Sequence, residues 1–140
     1  MKYLLLLLPF LSCTQKMDES AAIIHVLEQE AATWRAQDFK AHSACWHIQP
    51  YSKILVSTPD GMFDVPAATI QDPTSKMGDG GFAEQTNYKM DVHEGKAWVS
   101  HDEVSTSKEG VKTYSKEIRM LEKVEGQWKL VGQSIHIYKP

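Results

Sequence analysis

The spacing of apolar residues changes once along this chain. Ile23, Ile24, Leu27, Ala31 and Trp34 recur at helical spacing, while Glu28, Gln29 and Arg35 lie off that stripe. Asp18-Glu19-Ser20 supplies capping side chains and negative charge where such a helix starts. Asp38 can cap a second, shorter helix that shows Phe39, Ala41, Cys45 and Trp46 and that Pro50 stops. Residues 52–58 are β-rich, Pro59-Asp60-Gly61 is a turn, and Met62-Phe63 returns as a short strand. Asp64-Val65-Pro66 reads as the entry to a third helix, kept short by Pro73. The glycine-rich stretch at 77–81 lacks the lysine and hydroxyl residue of a phosphate-binding loop, so it reads as a linker or pocket lid.

From Glu84 onward apolar and polar positions alternate. Turns at Glu94-Gly95, Lys108-Glu109-Gly110 and Glu125-Gly126 divide this half into strands at about 84–93, 96–107, 111–124 and 127–138. Helices followed by an antiparallel meander predict an α+β domain over residues 20–140, with the N-terminal helices packed on a curved antiparallel sheet.

The turns also predict register. A turn near Glu109 pairs Val99 with Arg119, His101 with Glu117 and Glu103 with Ser115; a turn at Glu125-Gly126 pairs Leu121 with Leu130, Arg119 with Gly132 and Glu117 with Ser134. One face then carries His101, Glu103, Glu117, Arg119, Gly132, Ser134 and His136. The other carries Trp98, Val104, Tyr114, Ile118, Met120, Val131, Ile135 and Ile137, and is apolar enough to expect a cover, either the helices or a second copy of the chain.

The first residues follow another logic. Met1-Lys2 is a minimal basic start, and Tyr3 to Leu11 is almost wholly apolar, too short to span a bilayer but long enough for an export signal. Leu11-Ser12-Cys13 resembles a bacterial lipoprotein cleavage site. The expectation is a signal peptide at 1–12, a lipid on Cys13, a short linker over 13–19, and a place at the bacterial cell envelope; plain secretion or the periplasm is the alternative. Membrane contact would then be through the lipid anchor only. With Cys13 modified, Cys45 has no disulfide partner, since the chain has two cysteines.

At a formal charge of −3, nothing in the sequence resembles a basic surface for nucleic acid, and no nucleic-acid partner is expected. The six histidines show no metal-ligand spacing, and nothing in the pattern requires a metal or cofactor.

Glu117-Ile118-Arg119-Met120-Leu121-Glu122-Lys123 followed by Glu125-Gly126-Gln127-Trp128-Lys129-Leu130-Val131 resembles a hairpin of the nuclear transport factor 2-like superfamily. Gly95-Lys96-Ala97-Trp98-Val99 resembles the strand start before it, and Trp34, Asp38 and Trp46 fall where its first helices carry aromatic, acidic and aromatic residues. The resemblance spans about residues 20–138. It implies a cystatin-like, cone-shaped fold with an internal pocket into which Arg119 points, and frequent homodimers. The sequence departs from the pattern at Gly132 and Ser134, where many members carry histidines, and lacks the isomerases' tyrosine with paired aspartates.

The candidate pocket is therefore Trp34, Trp46, Tyr51, His101, Glu103, Glu117, Arg119 and His136, with Phe82 as a further wall. Two functions fit. One is an exported domain that binds a small, partly apolar or anionic ligand. The other is a cofactor-free isomerase, cyclase or dehydratase with His101 or His136 as base and Arg119 stabilising an oxyanion. An ordinary cross-strand pair between Arg119 and Glu103 or Glu117 is the plainer alternative for the same residues.

Overall fold

The computed structural model describes residues 18–140. The expectations for residues 1–12, for Cys13 and for most of the linker lie outside the described residues.

Helix α1 spans Glu19–Arg35 and α2 spans Phe39–Ala44. Asp18 caps α1 by position but its side chain makes no capping bond, whereas Asp38 accepts the Ala41 amide at 3.0 Å. Gln37, at φ 58°, makes the left-handed step between the helices. Ile23, Leu27 and Ala31 form the buried stripe of α1. Arg35, expected off that stripe, is buried as well. It lies one helical turn after Ala31, and its charge finds partners inside the fold.

α2 is not stopped by Pro50. It ends at Ala44 because the chain straightens and hooks onto a strand: His47 N–H donates to the Leu130 carbonyl at 2.8 Å, and Leu130 N–H donates to that of Cys45 at 2.9 Å. Strands β1 (Lys53–Thr58) and β2 (Gly61–Val65) form the first hairpin. The third helix is a 3-10 turn, Ala67–Gln71, a form suited to so short a run. The meander is β3 (Phe82–His93), β4 (Lys96–Thr106), β5 (Lys112–Val124) and β6 (Gln127–Tyr138).

All six strands form one curved, unclosed sheet in the order β2-β1-β6-β5-β4-β3, parallel only between β1 and β6. The early hairpin thus docks beside the last strand, and α1 lies across the concave face. Ile23 and Leu27 pack there with Trp46, Ile54, Val99, Leu121, Trp128 and Leu130. Each fully buried aliphatic side chain contributes about 1.5–3 kcal/mol.

Register separates the two hairpins. Between β4 and β5 the pairs are Val99 with Arg119, His101 with Glu117 and Glu103 with Ser115. Between β5 and β6 the pairing follows expectation only as far as Leu121 with Leu130. It then slips, so that Met120 faces Gly132, Arg119 faces Gln133 and Glu117 faces Ile135. Val131 is the extra residue of a β-bulge, which shifts the facing of all that follows. Gln133, Ile135 and Ile137 consequently belong to the concave face, and Gly132, Ser134 and His136 to the convex one.

Candidate functional site

A cavity of about 310 Å³ lies between the two helices, the concave sheet face and the segment that follows β2. Its apolar walls come from β1 (Ile54, Val56), β6 (Ile135), α2 (Phe39) and the covering segment (Ile70, Met77). Its floor is ionic. Glu117 and Arg119 are two apart on β5 and both point inward, Glu103 comes from β4, Glu30 and Arg35 from α1, His42 from α2 and Gln133 from β6.

Arg119 is the hub. Its Nε donates to Glu117 Oε2 at 2.9 Å and its Nη2 donates to the same oxygen; its Nη1 donates to Glu30 Oε2 at 3.3 Å and to Gln133 Oε1. Glu117 Oε1 accepts from Ser115 Oγ at 2.8 Å. A second pair stands beside it: Arg35 Nη2 donates to Glu103 Oε1 and to Ser105 Oγ, both at 2.8 Å. Glu103 Oε2 accepts from Gln85 at 2.9 Å, and Gln85 in turn accepts from Tyr88.

Burial works against the charge on Arg119, but Glu117, Glu30 and Glu103 outweigh it and hold the guanidinium above its ordinary range. Burial likewise opposes ionisation of Glu117; Arg119, His101 and the Ser115 bond overcome it, and the carboxyl is held below the usual range. Burial, then neighbouring Arg119, pushes His101 down. Its Nε2 is sealed without a hydrogen-bond partner, 3.8 Å from Glu117 Oε2, and its ring leans on Tyr88 at 5.3 Å. Burial and then Glu30 push the Cys45 thiol up to about 11, so it is an inert core group.

The residues singled out from sequence separate into groups. Glu103, Glu117 and Arg119 meet in the cavity, and Trp34 stands at its mouth, 40% exposed. His101 is buried beside Glu117 and does not line the cavity. Trp46 is a core residue. Tyr51 is outside the pocket: it is exposed and its hydroxyl donates to Glu122 at 2.9 Å. Phe82 is exposed too. His136 is on the convex face, beside Ser134 and across from Lys116, because the bulge at Val131 turns it outward.

Sequence reasoning missed Glu30, Arg35, His42 and Gln133. The first two had a legible signal, since Glu30 lies three residues after Leu27 and Arg35 four after Ala31, both in step with the apolar stripe. Gln133 had none without the bulge. Among the described residues, no three His, Cys, Asp or Glu side chains are grouped to hold a metal ion.

No protein-family model matches the chain, and no curated protein sequence matches it. Solved structures do. A protein of unknown function with a cystatin-like fold from Nostoc punctiforme aligns over 85% of this chain and 90% of its own, at TM-score 0.65 and 12% identity. A nuclear transport factor 2-like protein of unknown function from Shewanella baltica aligns over 91% and 99%, at TM-score 0.63 and 18% identity. A protein provisionally called a ketosteroid isomerase, from Parabacteroides distasonis, aligns over 91% and 94%, at TM-score 0.66 and 11% identity. At these identities the likeness is one of fold: the chain has the cystatin-like, nuclear transport factor 2-like cone architecture.

Proposed function

We propose that this chain is a small-ligand-binding domain, exported and held at the bacterial cell envelope by a lipid on Cys13. The observation that carries the binding reading is the cavity itself: apolar walls over a buried, hydrogen-bonded ionic floor, the combination that small-molecule sites use for affinity and orientation. The apolar run ending in Leu11-Ser12-Cys13 carries the anchor.

A cofactor-free enzyme is the second reading, favoured by solved relatives provisionally called a ketosteroid isomerase and a dehydratase. Its chemistry would differ from that expected of His101 or His136, since neither lines the cavity. Glu30 and His42 do, and either could take a proton from a bound molecule. Arg119 is a poor oxyanion partner, because its Nε and both Nη atoms already donate to Glu117, Glu30 and Gln133.

Mass spectrometry of natively purified protein tests both halves of the proposal. The expected result is a covalent lipid mass that Cys13→Ser removes, together with a small molecule retained under native conditions and lost on unfolding. A spectrum with neither mass would overturn the reading.

A further inference from the structure

The ionic floor is not balanced. Among the described residues, the buried carboxyl groups are those of Glu30, Glu103 and Glu117 and the buried guanidiniums those of Arg35 and Arg119, three acids against two. Glu117 accepts from Ser115 on one oxygen and from Arg119 on the other. Glu103 accepts from Arg35 on one oxygen and from Gln85 on the other. Glu30 is different. It meets Arg119 only through Oε2, at 3.3 Å, and its Oε1 accepts no hydrogen bond. The neighbour of Oε1 is His42 Nδ1 at 3.7 Å, and that nitrogen also faces the main-chain carbonyl of Glu30, at 3.3 Å. Yet Glu30 is 6% exposed and lines the cavity. Glu30 Oε1 thus has no donor from the protein while its residue lines the cavity, and a group bound there can supply one.

Seven of the ten guanidinium N–H groups of the floor are already committed to the protein's own acceptors. Arg119 donates through Nε and both Nη atoms, and Arg35 donates to Glu103, Ser105 and the Ala31 carbonyl. The anion-binding fork expected of Arg119 is therefore occupied by the protein's own carboxylates.

We infer that the cavity takes a small, partly apolar molecule bearing a primary or secondary ammonium, which donates to Oε1 of Glu30 while its hydrocarbon lies against Ile54, Val56 and Ile135. The inference rests on the ligand-binding reading above and adds the charge class. An ammonium supplies the missing donor and a positive charge in one group. A hydroxyl supplies only the donor, and a carboxylate would add a further acid. Lys76 also lines the cavity, but it is exposed at the mouth, where water and salt screen it, and it suits the ligand's far polar end.

Three probes of one shape decide the matter by calorimetric titration of the full chain: phenethylammonium, phenethyl alcohol and hydrocinnamate. The expected order is ammonium tighter than alcohol by at least about tenfold, with hydrocinnamate weaker still. Glu30→Gln should reduce the ammonium to the affinity of the alcohol. If the alcohol or hydrocinnamate binds as tightly as the ammonium, the charge class is wrong and the ligand-binding reading stands. If none binds at about 10 mM, a ceiling affinity even for weak fragments, both fail. If Glu30→Gln folds and keeps the preference for ammonium, the assignment to Glu30 is overturned. The wild-type order of the probes is decisive whether or not that variant folds.

Discussion

Burying an ion costs several kcal/mol, and only good partners return it, so each floor residue depends on its neighbours' protonation. His101, buried beside that floor, shows the same dependence best. Its ring is sealed, Nε2 has no hydrogen-bond partner, and burial followed by Arg119 lowers its folded pKa. In the unfolded chain a histidine titrates near about 6.5. As pH falls through that value the unfolded state takes up a proton that the folded state refuses, so stability drops with acidification. Glu117 acts in the same direction at lower pH. Its folded pKa is depressed, so its contribution is full above the unfolded value of about 4.3 and is lost as pH falls through the folded one. The melting temperature should therefore decline from about pH 6.5 downward, and decline again below about pH 4. His101→Gln should flatten the upper decline and leave the lower one. A variant curve parallel to wild type between about pH 5 and 7 would mean that His101 is not the group responsible.

At the scale of elements, one bulge decides which side chains reach the cavity. Val131 adds a residue to β6, and the glycine after it makes the new register possible on the convex side. A Cβ on Gly132 would stand 2.6 Å from the Met120 Cε and 3.2 Å from the Lys53 carbonyl oxygen. The methionine tip can swing away, but the carbonyl is fixed in the parallel β1–β6 ladder. Gly132→Ala should cost about 1–2 kcal/mol in urea unfolding. Trimming Met120 to alanine in the same chain should recover part of that loss, and the remainder reports the carbonyl. An unchanged midpoint in the single variant would show that the strands separate freely there.

The same bulge marks where the sequence stopped being informative. Turn positions gave the β4–β5 register residue by residue, because no irregularity intervenes and a period of two carries along the strand. In β6 the alternation reads smoothly through Trp128, Leu130, Gly132 and Ser134, and nothing local announces an insertion; the slip becomes visible only in the β5–β6 pairing itself. Hence Arg119, Glu117 and Glu103 were legible as a cluster, whereas Gln133 and Ile135 were hidden and His136 was misplaced. On α1 the polar identity of Glu30 and Arg35 masked positions that their spacing placed inside. The helix–sheet order was legible for a different reason, since the shift from helical spacing to alternation is a property of long segments that single irregularities do not erase.

At the scale of the whole molecule, the convex face is less apolar than the sequence suggested, because Ile135 and Ile137 turn inward and Ser134 and His136 replace them. What remains is a smaller patch in which Trp98 and Met120 pair across β4 and β5, with Ile118 next to them along β5. Trp98 is 46% exposed and Met120 39%, more apolar surface than a sheet face usually leaves to water when it has no partner. A second copy of the chain is the partner we expect there, as a two-fold contact would set each Trp98 against the other protomer's Met120. The patch is modest and its surroundings include Asp102 and Lys116, so association should be weak, with a dissociation constant on the order of micromolar rather than nanomolar. Sedimentation of the Cys13→Ser protein, free of any lipid that would promote clustering, should show a dimer at tens of micromolar, roughly, that dissociates on dilution. Trp98→Glu places a charge at the centre of the patch, far from the cavity floor, and should give a monomer that still binds the ammonium probe. A wild-type monomer at the highest concentration would remove the dimer. A Trp98→Glu protein that remains dimeric would move the interface elsewhere, and the exposed Met62 and Phe63 of the edge strand β2 would then be the surface to mutate next.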